Sequence, residues 1–151
     1  MDSYVDVDSV YVVTGHPNLG TYSHPANYMF NDKIDGLNYW HSKYETGAWI
    51  KLELPEPTLL SAVIINTLIA NTLRYNRYKN VCLHLDGGTS VACTDASGSG
   101  APYLNENEIR FPIDPPSTSN KIELKWGAGS DNYGIVSQIK FEMPSDNCNR
   151  D

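Results

Sequence analysis

The sequence predicts an all-β sandwich with long loops at one end. Three observations lead there. In short stretches apolar and polar residues alternate with period two, the mark of strands buried on one face. Gly, Pro, Asn, Asp and Ser interrupt the chain at short intervals, and helical periodicity is hard to find anywhere.

Eight strands follow in order. Val10 to Val13 is a β-branched and aromatic run. In Trp49 to Leu54 the apolar Ile50, Leu52 and Leu54 alternate with Lys51 and Glu53. Ala62 to Thr67 is apolar on both faces and is therefore expected at the centre of a sheet. Asn80 to Leu85 and Ser90 to Thr94 flank Gly87-Gly88, a dipeptide suited to a two-residue hairpin turn. Glu108 to Phe111 follows a polar loop. In Lys121 to Trp126 the residues Ile122, Leu124 and Trp126 alternate with three charged ones, and Val136 to Glu142 ends the set. The intervening loops are polar: Gly15 to Tyr28, Thr94 to Leu104 and Gly127 to Gly134. Such loops are where recognition residues collect.

The 151 residues make one domain, residues 1–151, with a core over about 10–143 and a polar tail at 144–151. A net charge of −7 and no run of basic residues argue against nucleic acid or an anionic membrane as the partner, because phosphates are bound by clustered Lys and Arg. The longest apolar stretch, around Ala62 to Ile65, is far short of the roughly 20 residues that cross a bilayer. The opening MDSYVDVDS is acidic and lacks the apolar core of a signal peptide. A processed form preceded by Met1, or export by another route, is expected.

Two of the three cysteines are positioned for a disulfide. If Gly87-Gly88 is the turn and Asp86 faces Thr89, the same register sets Cys82 opposite Cys93. Directly paired residues have Cα atoms about 4.5 to 5.5 Å apart, within reach of a disulfide. A Cys82–Cys93 bond and an oxidising compartment, secreted or cell-surface, are expected; the alternative is two reduced thiols in the core. Cys148, in the tail SDNCNRD, is either free or a link to a second chain.

The ordered segments ANYMFNDKIDGLNYWHSKYETGAWIKLELPEP, LLSAVIINTL, RYKNVCLHLDGG, NKIELKW and IVSQIKFE resemble the discoidin domain, also called the coagulation factor V/VIII C-type domain. This is the galactose-binding-like jelly roll shared by family-32 carbohydrate-binding modules and F-type fucose lectins. The resemblance spans nearly the whole chain and is more specific for the fold than for the ligand.

The resemblance implies a structural calcium. It assigns the Asp35 carboxylate, the carbonyls of Asp32 and Leu37, the Ser42 hydroxyl and, where the family usually has Glu, the amide of Gln138. Gln brings no charge, and calcium affinity follows the ligand charge count. The alternative is a metal-free loop in which Asp35 caps a turn.

A sugar site needs hydrogen-bonding side chains that converge on hydroxyls and an aromatic face for the ring. The loops supply His41, Tyr44 and Glu45; Asn71, Arg74, Tyr75 and Asn76; and Asp131, Asn132 and Tyr133. In the expected mechanism Tyr44, Tyr75 or Tyr133 stacks on a ring while His41, Arg74 and Asn76 bond its hydroxyls. His41 matches the His of galactose-binding modules, but the usual arginine position falls near Ala70. Arg77 matches the second basic residue of the fucose motif, whose first Arg and Asp are missing and whose His is replaced by Glu45.

Leu68, Ile69 and Leu73 make the Leu68–Leu73 loop apolar instead. That favours a second function, recognition of a protein partner or cell adhesion; the alternative is that these side chains plug the sandwich end. No catalytic or phosphate-cradling motif is present, and His16 and His24 read as turn residues. The sequence therefore reads as a non-catalytic, lectin-like recognition domain with glycan as the expected partner.

Overall fold

The computed structural model describes residues 3–5, 11–15, 29–30, 40–41, 48–66, 78–94, 103–105, 108–127 and 135–144. Among these lie ten strands: β1 (Ser3–Tyr4), β2 (Tyr11–Gly15), β3 (Trp40–His41), β4 (Trp49–Asn66), β5 (Val81–Leu85), β6 (Ser90–Cys93), β7 (Tyr103–Asn105), β8 (Glu108–Trp126), β9 (Ile135–Val136) and β10 (Gln138–Met143). The expected all-β sandwich is present.

β4 and β8 dominate it. Each joins two of the expected strands, Trp49 to Leu54 with Ala62 to Thr67, and Glu108 to Phe111 with Lys121 to Trp126, into one long strand, and the two pair antiparallel along their lengths. The expectation of breaks at Pro55 to Pro57 and Pro112 to Pro116 is corrected here. Proline lacks the N–H that a ladder needs, so the prolines mark bulges rather than ends. Two bulges lie close together on opposite strands. Between the pairs Glu53↔Lys121 and Thr58↔Ser119 the surplus residues are on β4; between Leu60↔Ser117 and Ala62↔Pro112 they are on β8.

At this corner the ladder folds over and supplies both layers. One layer runs β2, the first arm of β4, the second arm of β8, β5 and β6. The other runs β1, β10, the second arm of β4, the first arm of β8 and β7. Ile50, Leu52, Leu83 and Leu124 of the first layer share one core with Val63, Ile65, Phe111 and Phe141 of the second, and Leu54, Leu60 and Ile113 fill the corner. The strand expected to be central is so: β10 and β8 flank the second arm of β4.

That arm buries its outer face as well, at Ala62 and Ile64. Side chains from both flanking strands close over it. Arg110 Nη2 donates to Glu142 Oε1 at 2.6 Å, Ser61 Oγ donates to the same oxygen at 2.8 Å, and Lys140 and Glu108 approach to 3.6 Å. Burial raises the pKa of Glu142, but the hydrogen bonds from Arg110 and Ser61 and the Arg110 charge outweigh it, so the net shift is downward.

In the β5–β6 hairpin Cys82 pairs directly with Cys93, and the two form a disulfide with Cα atoms 4.1 Å apart. The expected turn is off by one residue. Asp86 and Gly87, both at positive φ (53° and 75°), are its central pair, and Gly88 N–H donates to Leu85 O at 2.9 Å. This is the geometry of a type I′ turn. A register shift between Leu83 and His84 then restores the alignment that joins the cysteines. His84 is partly exposed, with Nδ1 3.0 Å from Gly88 O.

Two stability effects follow. Glu142→Gln lowers unfolding free energy near neutral pH by about 1.5–3 kcal/mol, the range for hydrogen bonds to charged groups. Because the folded pKa is lowered, wild type holds this advantage above the unfolded value of roughly 4.3 and loses it as pH falls through the folded value; thermal unfolding of both proteins across that window checks it. Replacing Cys82 and Cys93 by Ser costs about 2–4 kcal/mol in denaturant unfolding, and mass spectrometry of the unreduced protein recovers the two peptides joined.

Candidate functional site

Both arms of the folded ladder run away from the corner, so their free ends gather at the opposite end of the sandwich. Trp49 and Trp126 end the arms of one layer, and Asn66 and Glu108 those of the other. Backbone groups at strand ends need partners when the ladder stops, and the partners here tie three loops together. Trp126 N–H donates to Ala48 O at 2.8 Å, Gly127 N–H to Asn80 O at 3.0 Å, and Ser137 N–H to Asn66 O at 2.9 Å. The two-residue strands β3 and β9 pair beside them, Trp40 opposite Val136 and His41 opposite Ile135.

Each of these contacts stands at the mouth of a loop. Segment 42–47 starts after His41 and ends at Ala48; segment 67–77 starts after Asn66 and ends before Tyr78 to Asn80; segment 128–134 starts after Gly127 and ends at Ile135. Residues flanking both ends of the first two segments meet residues flanking the third: His41 is paired with Ile135, and Ala48, Asn66 and Asn80 accept from Trp126, Ser137 and Gly127. Segment 95–102 leaves from the same end. Before it, buried Thr94 Oγ1 donates to Tyr78 O and accepts from Val81 N–H at 2.8 Å, and Thr94 N–H donates to Val81 O at 2.9 Å.

One of these anchors is sterically exacting. Asn80 adopts positive φ (53°), a conformation that Asn tolerates better than most residues, and its carbonyl meets Gly127. A Cβ on Gly127 would lie 2.8 Å from Asn80 O and 3.0 Å from Asn80 Cβ. Only glycine admits this approach without a shift of backbone.

The predicted ligand-binding residues divide along the same lines. Tyr44, Glu45, Asn71, Arg74, Tyr75, Asn76 and Tyr133 lie outside the described residues, as do the predicted calcium ligands Asp32, Asp35, Leu37 and Ser42. So do Leu68, Ile69, Leu73, Arg77, Asp131, Asn132, His16, His24 and Cys148. His41 is placed by its backbone in β3, opposite Ile135. Gln138 opens β10 opposite Asn66, and both are buried, at 7 % and 6 % exposure. Among the described residues no group of three or more His, Cys, Asp or Glu is placed to hold a metal.

Sequence reasoning missed the anchors: Gly127, Asn80, Thr94 and Ser137. The one signal available was a glycine directly after the last strand tryptophan, which marks an end but not what the end touches.

No protein-family model matches the sequence, and no curated protein does. Solved structures do match over nearly the whole chain. The family-32 carbohydrate-binding module of C. perfringens NanJ, in complex with galactose, is similar at a TM-score of 0.72 and 12 % identity, covering 94 % of this chain and 99 % of its own. A histidine mutant of the lectin binding domain of lectinolysin, complexed with Lewis b, matches at 0.72 and 10 %, covering 96 % and 100 %. An F5/8 type C domain from Bacteroides fragilis matches at 0.72 and 13 %, covering 95 % and 97 %. The fold is therefore discoidin-like, that is galactose-binding-like, as the sequence resemblance implied.

Gly127→Ala is expected to lower stability by roughly 1–3 kcal/mol, the cost of overpacking a tight contact. Urea unfolding measures it, and an unchanged midpoint would show that the Asn80 carbonyl yields freely.

Proposed function

Taking the discoidin-like fold as premise, we propose that the chain is a non-catalytic carbohydrate-binding domain that holds glycans in the loops at the end of the sandwich remote from the corner. The observation that carries this is the joint anchoring of segments 42–47, 67–77 and 128–134, because those three loops hold nearly every predicted sugar-contacting residue. Solved structures with this fold include a module in complex with galactose and a lectin domain complexed with Lewis b, which supports a glycan as the ligand here too.

In this reading Tyr44, Tyr75 or Tyr133 offers a face to the apolar side of a sugar ring, and His41, Arg74 and Asn76 bond its hydroxyls. Where each copy binds weakly, repeated copies on one surface raise avidity. The Cys82–Cys93 disulfide supports a secreted or cell-surface setting.

The same reading includes a structural calcium that staples the Asp35 loop to the start of β10. Gln138 fits as a neutral oxygen donor: it is buried at 7 % exposure, next to Ser137 and the β3–β9 pair that leads into Ser42. Its charge would come from the Asp35 carboxylate, with carbonyls of Asp32 and Leu37 completing the set. Bound there, the ion would supply rigidity rather than chemistry.

A glycan array read with and without a calcium chelator tests both parts. Binding to a subset of glycans, weakened by the chelator, is the expected result. Binding that ignores the chelator removes the calcium, and no binding to any glycan removes the lectin reading.

A further inference from the structure

The outer face of the first layer carries a cleft that the loop end does not use. On it Lys51 of β4 lies opposite Glu123 of β8, and Glu53 opposite Lys121. The β5–β6 turn adds a third carboxylate: Asp86 N–H donates to Lys121 O at 2.9 Å, and Asp86 Oδ1 accepts from buried Ser119 Oγ at 2.8 Å. Lys51, Glu53, Asp86, Gly87, Lys121 and Glu123 line a cleft of about 420 Å³, within the size range of small-ligand sites.

Opposite charges that face each other across a ladder ordinarily pair. Here, among the described residues, neither facing pair does. Lys51 Nζ lies over the Trp49 ring instead, 5.5 Å from its centroid. Glu123 reaches Lys125 on its own strand at 3.9 Å, although its side chain is only 13 % exposed. The cleft thus offers carboxylates on one diagonal and ammonium groups on the other, with their hydrogen-bonding capacity unspent on each other. Diagonal neighbours stand roughly 7–8 Å apart at Cα, a span over which two Glu side chains can converge on one cation.

We propose that this cleft is a second saccharide site, separate from the loop end, that selects a sugar bearing a free, protonated amine by charge and hydrogen bonds, its lining offering no aromatic face for the ring. Glu53 and Glu123 flank the ammonium, and Asp86, fixed by Ser119, adds a third acceptor. Lys51 and Lys121 donate to the ring hydroxyls from the other diagonal. Three carboxylates against two ammonium groups leave the cleft negative, in a chain of net charge −7, so an acidic sugar is disfavoured and a cationic one favoured. The proposal takes from the glycan reading only the class of ligand.

Backbone amide NMR of the full chain, titrated separately with glucosamine, N-acetylglucosamine, glucuronic acid and ethanolamine, tests it. Glucosamine is expected to bind tightest and to move the amides of Lys51, Glu53, Lys121 and Glu123 while leaving Trp126, Gly127 and Ser137 still. Glu123→Gln and Glu53→Gln, both isosteric on a sheet surface, are each expected to weaken it by about tenfold, the loss of one charged hydrogen bond. Equal binding of ethanolamine reduces the site to an ammonium sink and overturns the proposal. So does binding unchanged in both variants, tighter glucuronic acid, or a response confined to Trp126, Gly127 and Ser137. The two amide sets also keep the proposals apart, since loop-end binding can fail while the cleft responds, and the reverse.

Discussion

The fold depends on one pair of strands turning a corner. β4 and β8 stay hydrogen-bonded to each other on both sides of the bend, so the two layers of the sandwich are arms of a single ladder. Paired bulges make this possible: surplus residues on β4 tilt the ladder first, and surplus residues on β8 complete the turn a few residues later. Pro55, Pro57, Pro115 and Pro116 suit that role because each removes a donor where the ladder has already opened, and Pro112 borders the second opening. Leu54, Leu60 and Ile113 fold into the core at the bend and hold the arms together. One end of the sandwich is thereby closed by backbone, and the strand ends collect at the other.

The two outer faces handle charge in different ways. Over the second arm of β4 the charges are spent internally, where Arg110–Glu142 and Lys140–Glu108 bridge the strand and shield Ala62 and Ile64. Lys140 also lies over the Tyr4 ring, 5.5 Å from its centroid, which extends that cover toward the sheet edge. Over the first arm the charges alternate in register yet do not close across the ladder; Glu123 instead meets Lys125 along its own strand. Glu142 has almost no water to solvate it and must be paired, whereas Lys51 and Lys121 are exposed and stay hydrated.

The strands were legible because their signal is local. Alternation at Ile50, Leu52 and Leu54 places those residues in the core, and the doubly apolar Ala62 to Thr67 implies a central position that the sheet order bears out. The cysteine pairing was legible too, although the turn was assigned one residue late, since a register shift compensates between Leu83 and His84. Continuity through the corner was not legible: in one dimension a proline that ends a strand and a proline that bulges one look the same. Residue types for a sugar site can be read off loops, but the anchors cannot. Ser137 meeting Asn66 and Gly127 meeting Asn80 are contacts between distant backbone groups, and they leave no pattern in side-chain chemistry.

The central claim is that the open end of the sandwich, organised by those anchors, is where ligand is held. Amide hydrogen exchange of the chain, with and without a mixture of galactose-, N-acetylgalactosamine- and fucose-containing saccharides, tests it most directly. The account predicts slower exchange at Trp126, Gly127 and Ser137, whose N–H groups close the loop mouths, and no change at the corner around Thr58 and Ser117. Protection at the corner, or none at the three anchor amides, would contradict it.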